Sequence, residues 1–137
     1  MLELLIENGA DVNFKNSYGL TVLTYLSRNI SSNNDLEILK LLIRKGCNIN
    51  ITNNKGDVPL IIYLAYNSPN IRYDITKLFL DNKADIYIKN KNGKTIFNFI
   101  ENNIGMNSDI YSLILNYKNL KNDNFCECDI NFIYRKF

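Results

Sequence analysis

Leu4-Leu5-Ile6-Glu7-Asn8-Gly9-Ala10-Asp11-Val12-Asn13 holds, in ten residues, the end of an apolar helix, a glycine stop and a short polar–aliphatic–polar segment. The same arrangement returns as Leu41 to Asn50 and again as Leu78 to Tyr87, each copy 37 residues after the last. Gly19, Gly56 and Gly93 keep that spacing too. Self-similarity at a fixed period of this size marks stacked supersecondary units, each burying its apolar face on its neighbour. Such a solenoid presents an extended surface and encloses no pocket for chemistry, so the pattern predicts binding in place of catalysis.

One copy can be read in detail between Asp35 and Asp57. Leu36, Leu39, Leu42 and Ile43 fall on one helical face, with Asp35 placed to cap the start and Lys45 near the end, which predicts an amphipathic helix of about three turns. Gly46 follows where a left-handed residue commonly stops a helix, and Gly9 repeats the role. The third copy has Lys83 there, which requires another geometry or a strain of roughly 1–2 kcal/mol. Short extended pieces are expected next, at 10–13, 47–50 and 84–87. Asn16 to Gly19, Asn53 to Gly56 and Asn90 to Gly93 then read as turns, since Asn forms a side-chain turn with the backbone ahead and Gly takes positive φ cheaply. A second, shorter helix starts at Thr21, Val58 and Thr95, so the unit is finger, helix, loop, helix.

These residues resemble the ankyrin repeat, whose pattern joins a leucine-rich second helix to Gly-Ala-Asp-Val-Asn and then to Gly-x-Thr-Pro-Leu-His. Here Leu4 to Asn13 carry the first part, and Gly56, Pro59 and Leu60 carry the second. The resemblance implies an all-α fold, an ankyrin-repeat solenoid of about three repeats joined by β-turn fingers, over residues 1–117, with a tail at 118–137. Thr24, Ile61 and Asn98 replace the family's His, so its hydrogen bonds within and between repeats are expected to be missing. The period exceeds the usual 33, and the first helices carry the bulky pairs Tyr25-Leu26 and Tyr63-Leu64, followed by polar connections such as Ser27 to Asn34. With a composition rich in Asn, Ile, Lys and Tyr, as an AT-rich coding sequence gives, the chain is similar to the ankyrin proteins of poxviruses.

Composition limits the alternatives. A chain of 137 residues with 46% hydrophobic content is enough for one core and too short to split comfortably. No run approaches the roughly 18 apolar residues of a membrane span, and the acidic start Met1-Leu2-Glu3-Leu4-Leu5-Ile6-Glu7 does not read as a signal peptide, so no membrane contact is expected. Three cysteines, Cys47, Cys126 and Cys128, give no disulfide framework. A net charge of +2 argues against nucleic acid as a partner. With no histidine, the commonest general base and every Ser-His or Cys-His arrangement are excluded, and the dispersed glycines form no phosphate loop. No catalytic residue, cofactor or metal is expected. Cys126-x-Cys128 lacks the four ligands of a structural zinc site and alternates with polar residues like a half-buried strand or finger arm.

In the ankyrin family, partners commonly dock on finger tips and on the adjoining concave face of the first helices. Transferred by position, that implies a partner-binding set of Lys15, Ser17, Tyr18 and Leu20; Thr52, Asn54, Lys55 and Asp57; and Lys89, Lys91, Asn92 and Lys94. Tyr18 and Leu20 suit an interface anchor, and the third finger is the most basic. The bland reading is that these lysines only solubilise and that Tyr18 packs on the next finger. Asn13, two residues after Asp11 and eight after Leu5, resembles ankyrin asparagines that a cellular oxygenase hydroxylates; the structural alternative is an asparagine bonded within its finger. The resemblance implies a viral module that binds a host protein in the host-cell cytoplasm, or the nucleus, to modulate host defence or host range. Alternatives are a cellular or bacterial-effector scaffold or stoichiometric inhibitor, and a nonfunctional fragment. Poxviral relatives often end in an F-box-like segment for ubiquitin-ligase recruitment; none is seen, so that recruitment is not expected. Met1 falls inside a second helix, and Cys128 to Phe132 echo Ala10 to Phe14, so both ends read as those of a segment of a larger protein or of a broken reading frame.

Overall fold

The computed structural model describes residues 2–103 and 109–121. Seven helices run in order: α1 (Leu2–Glu7), α2 (Val22–Asn29), α3 (Asn33–Arg44), α4 (Pro59–Tyr66), α5 (Tyr73–Asp81), α6 (Ile96–Asn103) and α7 (Asp109–Lys121). There is no strand among the described residues. The shorter helices α2, α4 and α6 pack in a row, α3 closes against α2, and α5 packs on α7. Every residue of α4 from Pro59 to Leu64 is buried, as its place between α2 and α6 demands. Cys126 and Cys128, with most of the expected tail, lie outside the described residues.

The three helix stops share one geometry. Gly9, Gly46 and Lys83 all have positive φ, and in each the stop residue's N–H and the next N–H bond back to carbonyls of the last turn: Gly46 to Ile43 (3.1 Å) and Cys47 to Leu42 (3.0 Å), Lys83 to Leu80 and Ala84 to Phe79 (both 3.0 Å). Lys83 therefore takes the strained option, at φ 67°. Lys83→Gly is expected to raise stability by about 1 kcal/mol, the strain relieved less the added freedom of the unfolded chain. A higher urea midpoint at unchanged slope checks it.

Four local expectations are corrected. Asp35 is not the cap of α3; Ser32 is, and Asp35 closes a capping box three residues in, accepting from the N–H groups of Ser31 (2.9 Å) and Ser32 (2.8 Å). The pieces expected to be extended are turns: Asp11, Asn48 and Asp85 each accept on the side chain from the N–H two residues on, at 2.9–3.0 Å. Ser27 is no loop residue; it is buried in α2 and donates to the Leu23 carbonyl (2.7 Å), so the connection begins only at Ile30. The bonds of the family's His are replaced in part. Thr24 Oγ1 accepts from the Thr21 N–H (2.7 Å) and Asn98 Oδ1 from the Thr95 N–H (2.9 Å), while at Ile61 the helix relies on Pro59 in its first turn.

Hydrogen bonds from Ser31 and Ser32 hold the Asp35 carboxyl below its ordinary range. A folded-state pKa below the unfolded one contributes stability that is present above about pH 4 and is lost as pH falls. Asp35→Ala should therefore cost about 0.5 kcal/mol at pH 7, and the gap from the parent should narrow as pH falls below about 4. Thermal melts across pH 3–7 measure it.

The two Tyr-Leu pairs turn out to be one position out of register, since 37 residues separate Tyr25 from Ile62 and Leu26 from Tyr63. Tyr25 is accordingly 65% exposed, whereas Tyr63 is 1% exposed and packs beside Phe79 with ring centroids 6.0 Å apart. Its hydroxyl accepts from the Arg72 N–H (2.8 Å) and so ties the loop before α5 to the core. At the N-terminal end, Leu5 is 53% exposed, while its register mates Leu42 and Phe79 are fully buried.

Candidate functional site

Each finger tip is built by one asparagine. Asn16 Oδ1 accepts from the N–H groups of Tyr18 (2.9 Å) and Leu20 (3.0 Å), and Asn53 and Asn90 repeat this for residues 55, 57 and 92, 94. The glycine N–H returns to the asparagine carbonyl at 2.9–3.0 Å, closing the turn. With its amides satisfied inside the turn, the tip aims its side chains outward.

Successive fingers are bonded to one another. Asn13 donates to the Gly46 carbonyl (3.3 Å) and accepts from the Asn48 N–H (2.6 Å); Asn50, 37 residues on, does the same to Lys83 (3.1 Å) and Asp85 (2.7 Å). The Asn13 side-chain bonds thus run to the next repeat, while its N–H is bonded within its own finger to Asp11. At the tips, Lys15 Nζ donates to the Thr52 carbonyl (2.7 Å), Asn54 to the Ser17 carbonyl (3.3 Å), Asn90 Nδ2 to the Asp57 carboxylate (2.8 Å), and the Lys91 N–H to the Lys55 carbonyl (3.0 Å). The face is a hydrogen-bonded row.

That row sorts the expected partner-binding residues. Lys15 and Asp57 already spend their charged ends on the neighbouring finger, and Thr52 is half-buried. Ser17, Tyr18, Asn54, Lys55, Lys89, Lys91, Asn92 and Lys94 are exposed, and Leu20 is half-buried. Tyr18 does not pack away on the next finger: it is 74% exposed. Tyr18, Leu20, Asn54 and Lys55 come together around a notch of about 380 Å³ with two residues that the sequence reading did not name, Arg28 of α2 and Tyr66 of α4. The Arg28 guanidinium lies over the Tyr66 ring, 4.5 Å from its centroid. A second cleft of about 300 Å³ adjoins it through Leu20 and is lined by Phe14, Val22 and Tyr25. The register of Tyr25 against Ile62 was the available signal for this surface.

Among the described residues, no cluster of three His, Cys, Asp or Glu side chains is placed to hold a metal ion. Cys47 is half-buried and burial pushes its thiol up to about 11, which leaves little thiolate at neutral pH. No helix among the described residues is long and apolar enough to cross a membrane.

The family model for ankyrin repeats, spanning three copies, matches residues 1–90 and, in a second placement, 27–124. The chain belongs to the ankyrin-repeat family, and its seven helices among the described residues, without strands, fit that solenoid. Comparison with curated proteins returns no match. Ankyrin repeats are protein–protein interaction modules and in general non-catalytic, so the partners indicated for this chain are proteins.

Proposed function

We propose that this chain is a viral ankyrin protein of the poxvirus type, which binds a host protein through its finger face in the host-cell cytoplasm and alters host defence or host range without catalysing a reaction. The observation that supports a docking role most is the bonded row of fingers, which holds Tyr18, Leu20 and the lysines of the third finger outward on a fixed frame. A face that is already ordered loses less entropy on binding than free loops would. The twelve positions expected to touch a partner divide accordingly: the exposed tips make the contact, while Asp57, Thr52 and the ammonium of Lys15 hold the frame.

The test is quantitative affinity capture from host-cell cytosol with three baits. These are the parent chain, a finger variant carrying Tyr18→Ala, Lys91→Glu and Lys94→Glu, and an outer-helix control carrying Lys40→Glu. A host protein retained by the parent and the control and lost from the finger variant is the expected result. Equal retention on all three baits would remove the finger face as the docking surface.

A further inference from the structure

The notch between the first and second fingers combines an apolar and a cationic part. Its apolar part is Tyr18 and Leu20, with the Tyr66 ring behind; its polar part is Asn53, Asn54 and the two cations Arg28 and Lys55. No aspartate or glutamate lines it, so within the notch Arg28 and Lys55 face no carboxylate. The Tyr66 ring lies against the Arg28 guanidinium, whose five N–H donors suit an acceptor such as a carboxylate. In the sequence, moving 37 residues along replaces Tyr18 by Lys55, Leu20 by Asp57 and Arg28 by Ala65, so the register does not repeat this combination of an aromatic, an aliphatic and a guanidinium.

The surroundings give the notch a direction. On one side, sharing Leu20, lies the apolar cleft of Phe14, Val22 and Tyr25. On the other, Lys55 is joined through its carbonyl to Lys91 of the third finger, where Lys89 and Lys94 are also exposed. The geometry points to one kind of occupant: an extended segment of a protein partner with an aromatic or aliphatic residue at one end, seated at Tyr18, Leu20 and Tyr66, and aspartates or glutamates at the other, paired with Arg28, Lys55 and the third-finger lysines. This rests on the docking role proposed above and specifies the partner's chemistry. Desolvated apolar contact supplies the anchor, and complementary charge sets orientation and rejects basic segments.

The test uses the intact 137-residue chain as bait for a displayed library of random dodecapeptides, in about 50 mM salt where charge pairing is least screened. Enriched peptides should combine an apolar end with an acidic end. A synthetic peptide of the enriched pattern should lose affinity about tenfold or more with Arg28→Glu and with Tyr18→Ala, several-fold with Lys91→Glu, and none with Lys40→Glu. Lys55→Glu gives an independent reading at an exposed tip, and helical circular dichroism confirms that each variant is folded. Peptides without acids, or peptides that ignore Tyr18 and Arg28 yet weaken with Lys91→Glu or Lys94→Glu, would overturn the notch and leave the finger face standing. Peptides indifferent to every finger substitution, or no enrichment at all, would overturn both.

Discussion

Gly19→Ala is expected to destabilise the chain by about 3 kcal/mol or more, Gly56→Ala somewhat less, and Gly93→Ala by only about 1 kcal/mol. All three glycines have the same backbone, with φ between 72° and 78°, and close the same asparagine turn. Backbone strain for an L-residue is thus common to the three and cannot separate them. What differs is the next finger. A Cβ on Gly19 would run into the Asn54 side chain and stand 2.8 Å from the Asn54 backbone nitrogen, which cannot swing aside as a side chain can. On Gly56 it would meet the Lys91 nitrogen at 3.0 Å, the group that donates to the Lys55 carbonyl. At Gly93 it meets nothing within 4 Å. Urea unfolding of the three variants measures the order directly; equal losses would mean that the fingers are not packed against each other.

Asn50→Ala should cost about 2–3 kcal/mol, because one side chain is removed and two groups of the next repeat lose their partners, the Lys83 carbonyl and the Asp85 N–H. Asn50→Asp separates the two halves: the oxygen facing the Asp85 N–H remains while the donor to Lys83 becomes a second acceptor, so a loss of about 1 kcal/mol is expected at neutral pH. Since the bonds cross from one repeat to the next, their loss falls on the nearest-neighbour coupling of the stack. The urea transition of Asn50→Ala should broaden as well as shift, with the repeat formed by α6 and α7 releasing first. A shift with an unchanged slope would show that coupling resides in the apolar layer alone. Asn13→Ala probes the preceding junction through Gly46 and Asn48. The register's third position is Tyr87, which has no carboxamide to continue the series.

Much of the fold was legible because a repeat confirms each local signal by its recurrence. The apolar face of Leu36, Leu39, Leu42 and Ile43, the glycine stops, the Asn-to-Gly turns and the helix starts at Thr21 and Val58 all follow from local chemistry, and all are present. Two residues compete for one cap at the start of α3, and Ser32 takes it with Asp35 as its reciprocal partner. At Asp11, Asn48 and Asp85 a single β-branched residue points to an extended piece, while the Asx side chain two residues before an amide is itself a turn signal and prevails. The replacement of the family's His by Thr24 and Asn98 hid the fact that either side chain can accept the same backbone hydrogen.

The candidate site was legible only in outline. Tip positions follow from register, but whether Lys15 or Asp57 faces a partner or a neighbouring finger depends on contacts 33 to 37 residues away. Arg28 and Tyr66 lie on different helices and meet only when α2 stacks on α4. Aligning Tyr25 with Ile62 instead of Tyr63 would have shown from sequence that one tyrosine points outward.

The most direct measurement is residue-resolved amide hydrogen exchange in the fingers, by NMR, on the parent chain. The N–H groups of Asn48, Asp85 and Lys91 each bond to the preceding repeat, and if the fingers form one fixed docking face they should exchange at least about a hundredfold more slowly than an unstructured chain, approaching the amides of α4. Exchange at those three amides within about tenfold of the unstructured rate, with α4 still protected, would contradict it: the fingers would then be independent loops on a helical stack, and no preformed face would exist for a partner to read.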